Sequence, residues 1–215
     1  MQTSDAAALR TLVDAITADD LAQCSRLLRE RPELATVSFR EGASRQAANK
    51  YFLAGIKRYV WTGDTALHIA AAAYRTKIVR ALIEAGALIN AKNRHGAEPL
   101  HAAAVGHPGT PGWNPQEQSE TLDHLIDAGA DPNTIDKRGV TALHIAVRTR
   151  SAAAVETLLR RGADPTRTNK SGSTAFKLAK LATGRSGSGS EEARAQQQQI
   201  LRLLEAWTSS SFRRE

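Results

Sequence analysis

Three histidines stand at the same position of a repeated pattern, and imidazole is a side chain that can bind metals or transfer protons. They are His68, His101 and His144. Ligands of one zinc ion must each lie about 2 Å from it, whereas helices of successive repeats lie about 8 to 10 Å apart. The three residues therefore cannot share an ion. Their recurrence fits a hydrogen bond to the preceding threonine and to neighbouring backbone. Glu98 replaces that threonine in the second copy, and Lys177 replaces the histidine in the fourth. The sequence therefore does not predict whether the hydrogen bond forms in these two copies.

Nothing else in the sequence has the spacing of a catalytic or cofactor site. There is no nucleophile elbow, no H-E-x-x-H and no paired cysteine motif. The glycine-rich residues 184–190 precede a predicted helix and could cradle an anion, but no strand and no G-K-[ST] accompany them. Cys24 is predicted to be a buried apolar residue, because the alternative of a reactive thiol lacks a nearby histidine or second cysteine. We expect no enzyme, no metal and no cofactor.

Basic side chains recur in the turns that join one repeat to the next. Because stacking brings such turns into line, the sequence predicts one positive edge. The alternative is that these are ordinary solvated turn residues. The turn residues assigned to partner binding are Lys92, Arg94, His95, Lys137, Arg138, Arg167, Asn169 and Lys170.

Two segments that depart from the repeat add aromatic candidates. Residues 51–61 are the most aromatic stretch of the chain, and cations flank them. Tyr59 and Trp61 either pack this connection onto the stack or face a ligand. Trp113 lies in an insertion of 10 residues in the second repeat, which is either a tolerated surface loop or an added binding element. All three aromatic residues are included among the candidate partner contacts.

The elements that must position these residues are helix pairs at a fixed period. The stretch 63–71 begins with a glycine, and the first glycines of its four copies are spaced by 33, 43 and 33 residues. Thr65 and Thr141 are good helix starters, and Pro99 suits the first turn of a helix. An apolar stripe at a period of 3.6 follows and predicts a second helix. The other copies are residues 96–103, 139–146 and 172–179.

The copies resemble the ankyrin repeat, whose pattern is G-x-T-P-L-H-x-A, a second helix ending L-L-x-x-G-A-D, and a turn. Gly86, Gly129 and Gly162 stand at the glycine of the second element. The resemblance extends from residue 63 to about residue 207. It implies an all-α solenoid of stacked helix pairs with projecting inter-repeat turns, which binds other proteins through the turn tips and the inner helices. So short a helix pair cannot bury its own apolar stripe, which independently favours stacking.

The chain is predicted to divide into four parts. These are a degenerate N-terminal capping helix pair at 1–36, a basic and aromatic connection at 37–62, ankyrin repeats at 63–207 and a frayed tail at 208–215. The repeats are 63–95, 96–138 with an insertion, 139–171, and 172–207 with an insertion.

The net charge bears on the kind of partner. A formal charge of +7 and a pI near 9.9 favour a protein with an acidic surface, whereas 5% aromatic residues argue against a base-stacking surface. No apolar run approaches a membrane span, and no signal peptide is recognisable, so we expect a cytoplasmic protein. We also expect a monomer. The leading hypothesis is a non-enzymatic protein-protein interaction module. The alternative is anion or nucleic-acid binding through the basic edge.

Overall fold

The computed structural model describes residues 3–110, 112–184 and 190–211, most of which are helical. Most of the glycine-rich stretch 184–190 and the last residues of the tail lie outside this description. The helices are α1 (Thr3–Thr17), α2 (Leu21–Glu30), α3 (Ala66–Ala72), α4 (Thr76–Glu84), α5 (Pro99–Ala103), α6 (Pro115–Asp127), α7 (Ala142–Arg148), α8 (Ala152–Arg160), α9 (Ala175–Gly184) and α10 (Glu191–Ser211).

Successive helix pairs stack in one row. The inner helices α1, α3, α5, α7 and α9 contact one another in that order, and the outer helices α2, α4, α6, α8 and α10 do the same. Leucines of the inner helices form the centre of the shared core, since Leu12, Leu67, Leu100 and Leu143 are at most 1% exposed. The predicted all-α solenoid of stacked helix pairs is confirmed.

Helices α5 and α7 begin, and helices α4 and α8 end, close to the residues that the sequence indicates. The Thr141 side chain accepts a hydrogen bond from the backbone N–H of His144 at the start of α7, and Pro99 is the first residue of α5. Gly86 and Gly162, which follow α4 and α8, both have φ of +86°. This left-handed conformation ends a helix and favours glycine.

The connection between the first helix pair and the first repeat contains a hairpin that the sequence analysis did not predict. Strand β1 (Phe52–Leu53) pairs with strand β2 (Arg58–Tyr59) in antiparallel register, with Phe52 opposite Tyr59. Short 3₁₀ helices accompany it at Pro32–Ala35, Asn49–Tyr51 and Ala54–Ile56. Since the hairpin leads directly into the first repeat, it fixes where Tyr59 and Trp61 lie.

Buried glutamines join the outer helices of the second and fourth repeats to their inner helices. The Gln118 side-chain amide donates to the carbonyl of Ala103 at 2.8 Å, and that of Gln197 donates to the carbonyl of Ala179 at 2.6 Å. Ala103 is the last residue of α5, where backbone acceptors lack helical partners, whereas Ala179 lies within α9. The sequence predicts residues 196–199 partly on the outward face of the last helix, whereas Gln197 is 4% exposed. Gln118 was not among the candidate residues.

Candidate partner-binding edge and groove

Each turn between two repeats is organised by one Asn or Asp side chain. Its Oδ1 accepts hydrogen bonds from two backbone N–H groups of the same turn, at 2.7 to 3.2 Å. Asn169, a candidate for partner binding, uses its carbonyl oxygen in this way. The three residues that organise the turns are Asn93, Asp136 and Asn169.

Backbone hydrogen bonds also join each turn to the preceding one. In three successive turns, a backbone N–H donates to a backbone carbonyl of the preceding turn at 2.7 to 2.9 Å. These bonds hold the turns in line and in register, which is the arrangement that the expected positive edge requires. The pairs are Arg94 to Thr62, Lys137 to His95 and Lys170 to Arg138.

The register places a tryptophan in line with three cations. Arg94, Lys137 and Lys170 each precede the first glycine of a repeat by two residues, and Trp61 has the same relation to Gly63. All three cations are exposed, and Trp61 is half-buried. We call Trp61, Arg94, Lys137 and Lys170 the tip row.

Aromatic contacts connect the hairpin to the tip row. The ring centroids of Phe52 and Tyr59 lie 4.9 Å apart, and those of Tyr59 and Trp61 lie 5.9 Å apart. Trp61 in turn meets the His95 ring edge-on at 4.8 Å, and the Arg94 guanidinium lies 4.7 Å from the Trp61 centroid. The aromatic candidates Tyr59 and Trp61 and the first basic turn therefore form one continuous surface.

The other basic candidates have local partners at the same edge. Lys92 lies 3.6 Å from Glu98, and Arg138 pairs at 3.2 Å with the aspartate of its own turn. Their side chains are 59% and 67% exposed, so these ion pairs contribute little and leave the charges accessible. The Arg167 guanidinium donates to the carbonyl of Asn133 in the preceding inter-repeat segment.

A groove of about 320 Å³ lies between the tips and the inner helices. Its base includes ring and apolar side chains from α3, α5 and α7, and its rim includes residues of the first two basic turns. We call this the concave groove. The lining residues used below are Arg58, Trp61, His68, His95, His101 and Arg138.

A buried aspartate organises the first tip, where the usual Asn or Asp is missing. Val60 occupies the position that Asn93 has one repeat later, and its side chain cannot accept hydrogen bonds. Asp64 instead accepts from the backbone N–H of Trp61 at 2.8 Å and from Asn93 Nδ2 at 2.9 Å. Its Oδ2 also lies 3.4 Å from Arg58 Nη2. Asp64 thus holds Trp61 and Arg58 at the same end of the groove.

The recurring histidines connect consecutive repeats. The Nδ1 of each accepts a backbone N–H three residues earlier at 3.1 to 3.2 Å, and Nε2 lies 3.0 to 3.1 Å from a carbonyl of the next repeat. A carbonyl only accepts, so Nε2 carries the proton. Burial lowers the pKa of His68, His101 and His144, which favours the neutral ring. Their predicted structural role is confirmed, and it persists in the second copy with Glu98.

Trp113 lies outside the concave groove. Its Nε1 donates to Gln118 Oε1 at 3.1 Å, and the indole lines a separate cavity of about 90 Å³. Ile56, Lys57 and His107 line the same cavity. The insertion of the second repeat therefore meets the turn of the hairpin. The structure brings Tyr59 and Trp61 to the basic edge, but it does not bring Trp113 there.

Three further features complete the account of possible sites. Cys24 is a free, buried thiol, as expected, and burial raises its pKa to about 11. Among the described residues, no three His, Cys, Asp or Glu side chains are grouped so that they could hold a metal ion. No helix in the described part of the chain has both the length and the apolar character needed to cross a membrane.

Two models of one protein family match this chain. A model described as ankyrin repeats in three copies matches residues 22–110, and a model described as ankyrin repeats in many copies matches residues 125–179. The first match begins in α2, upstream of the clear sequence repeats. The chain belongs to the ankyrin-repeat family, whose members are typically non-enzymatic interaction modules.

Curated relatives are similar to part of this chain. Protein phosphatase 1 regulatory subunit 12A of Mus musculus is 38% identical over 89 residues, which are 41% of this chain and 8% of that protein. NF-kappa-B inhibitor alpha of Gallus gallus is 33% identical over 100 residues, 45% of this chain and 28% of that protein. Neurogenic locus notch homolog protein 1 of Danio rerio is 31% identical over 126 residues, 46% of this chain and 5% of that protein. The chain thus spans less than a third of each relative.

Proposed function

We propose that this protein is a non-enzymatic interaction module that binds another protein through the tip row and the concave groove. The observation that carries this proposal is the backbone-bonded register of the turns, which aligns Arg94, Lys137 and Lys170 beside a groove. A row of fixed cations suits a partner with an acidic surface, because complementary charge steers association and fixes orientation. The names of two relatives, a phosphatase regulatory subunit and an inhibitor of NF-kappa-B, are consistent with a binding role.

The test is capture of partners from the source lysate, after nuclease treatment, on the immobilised protein and on a charge-reversed variant. The variant changes Lys92, Arg94, Lys137, Arg138 and Lys170 to Glu. One protein recovered by the native chain and lost by the variant is the expected result. Equal recovery by both would contradict binding through the tips.

A matched control separates the position of the charges from their number. It reverses the same number of exposed cations on outer helices and should retain the partner. Far-UV circular dichroism of both variants checks that the stack is intact. The control positions are Arg29, Lys77, Arg80, Arg194 and Arg202.

The same edge supports a second candidate, the binding of an anion or nucleic acid. Its support is the net charge of +7 together with the cations repeated along the tip row. Binding of random DNA or RNA should then weaken steeply as salt is raised, with a slope set by the number of phosphates neutralised. Absence of such binding at low salt would remove this candidate.

We also propose that the protein acts as a monomer in the cytoplasm. The free, buried Cys24 is compatible with a reducing compartment, where disulfides are rare. Sedimentation equilibrium would measure the mass in solution, and fractionation of source cells would locate the protein. A dimeric mass or recovery outside the cytoplasm would each refute its part of the proposal.

A further inference from the structure

One arginine in the concave groove does not come from the repeat pattern. Arg58 belongs to strand β2 of the hairpin, and its side chain is 15% exposed where it lines the groove. Trp61 and His95 line the groove with it. The hairpin thus adds a guanidinium to a surface that the repeats otherwise build.

The donors of Arg58 are largely unused. A guanidinium has five N–H donors in a planar fork. Among the described residues, the guanidinium of Arg58 makes one hydrogen bond, from Nη2 to Asp64 at 3.4 Å, which is long. Its Nε is buried and has no hydrogen-bond partner in the part of the chain that the structure describes. Because Asp64 also accepts from Trp61 and Asn93, it does not satisfy the fork by itself.

The acceptors around the groove are already engaged. The buried Glu98 carboxylate accepts from the Thr134 hydroxyl at 2.9 Å, and Asp136 accepts from two backbone N–H groups and from Arg138. His68 and His101 use both ring nitrogens in bonds between repeats. The groove therefore offers cationic donors and lacks a free anion among its described lining residues.

We propose that the concave groove receives an Asp or Glu side chain from an extended segment of the partner protein, and that Arg58 binds this carboxylate. A carboxylate matches the guanidinium fork with two parallel hydrogen bonds, which neither an amide nor a hydroxyl can do. Trp61 forms the wall beside it and supplies apolar contact to the same segment. This inference rests on the proposed function and names the chemistry that one end of the binding surface recognises.

The probe is a phage-displayed library of random dodecamer peptides, selected on the immobilised full-length protein. Enriched peptides are synthesised together with versions in which each Asp or Glu is replaced by Asn or Gln. Dissociation constants are measured for the native protein, for Arg58→Gln and for Arg80→Gln, a control cation exposed on α4. The design is a double-mutant cycle between one peptide carboxylate and one arginine.

One carboxylate-to-amide change should weaken binding to the native protein and to Arg80→Gln by about 10- to 100-fold. The same change should alter binding to Arg58→Gln by less than about 2-fold, because the coupling is gone. Circular dichroism checks the fold of Arg58→Gln. If that variant unfolds, Arg58→Lys completes the cycle, and it should show an intermediate loss since it keeps the charge without the fork.

Two outcomes would overturn the inference in distinguishable ways. In the first outcome, the enriched peptides require the tip-row cations, but removal of each peptide carboxylate weakens binding equally for the native protein and for Arg58→Gln. This result would refute the carboxylate site and leave the proposed function standing. Failure of any peptide to enrich above an uncoated surface would count against the proposed function itself, and the inference would fall with it.

Discussion

Neutral imidazole is required at three positions because each ring accepts at one nitrogen and donates at the other. A second proton on His101 would remove the acceptor for the backbone N–H of Glu98 and bury a charge. The same holds for His68 and His144. The histidine of this repeat is therefore a connector between repeats, and its protonation couples to the stability of the stack.

Protonation should destabilise the fold below the ordinary imidazole pKa of 6.5. Burial lowers the folded-state pKa of His68, His101 and His144, so the unfolded chain binds these protons first. Stability is then full above pH 6.5 and is lost as the pH falls from there toward the lowered folded-state pKa. Urea unfolding at a series of pH values should show this decline.

The variant His101→Gln tests whether protonation of His101 contributes to this loss of stability. It should reduce the pH slope by up to about 1.4 kcal/mol per pH unit, the contribution of one proton. An unchanged slope would show that His101 does not titrate in this window.

A glycine is needed at residue 63, where the chain crosses the next turn. Gly63 and Gly86 share a φ of +86°, but a Cβ on Gly63 would lie 2.8 Å from Asn93 Cα, whereas a Cβ on Gly86 would meet nothing within 4 Å. Both changes to alanine should cost about 1 to 2 kcal/mol for the left-handed conformation. Gly63→Ala should cost more, because backbone must also move. Equal unfolding free energies in urea would contradict this account.

The helices could be predicted from the sequence because their pattern repeats. The hairpin could not be predicted, since it occurs only once in the described part of the chain. The period of 33 residues, the helix starters and the cap glycines each recur, so every copy supports the others. Strands β1 and β2 have two residues each, which is too short for an alternating pattern. The cations near Arg58 could be noticed from the sequence, but the placement of Arg58 in the groove depends on the hairpin.

The buried glutamines carried a signal that could have been used. Gln118 precedes Leu122 by four residues and Leu125 by seven, so it lies on the apolar stripe of α6. A polar residue on such a stripe needs a partner inside the molecule. The division of the chain at residues 36, 62 and 207 depends on the same periodic reading, and it stays a proposal.

Replacing Gln118 should destabilise the second repeat. Its amide donates to Ala103, and its Oε1 accepts from Ser151 at 2.8 Å and from Trp113. Gln118→Ala leaves buried groups unpaired, at a cost of about 1 to 3 kcal/mol. Gln116→Ala on the exposed face of α6 is the matched control, with a change within about 0.5 kcal/mol. Thermal unfolding measures both, and similar melting temperatures would contradict the role of Gln118.

The stability of each helix pair in the stack depends on the neighbouring pairs. Each helix pair contacts the pairs beside it, so a perturbation at one end should weaken with distance along the row. The binding surface uses the same property, since the tip row extends over consecutive repeats that are held in register by backbone bonds.

A truncated protein that ends at residue 190 should show that a perturbation at one end of the stack has its largest effect on the neighbouring helices. Loss of α10 removes the cover that Ile200 and Leu204 give to α8 and α9. Hydrogen exchange followed by mass spectrometry should show reduced protection in α8 and α9 and unchanged protection in α1 and α2, which serve as the internal control. Uniform loss of protection would show that the stack unfolds as one unit instead.

The contacts of Trp61 give the molecule an optical reporter of its own edge. The indole lies against His95 and under Arg94, so its fluorescence responds to any change in the charges there. The other tryptophans are Trp113 and Trp207, and replacing both with Phe would leave the emission of Trp61 alone. Binding of a partner at one end of the tip row could then be followed by intrinsic tryptophan fluorescence, without a label and in real time.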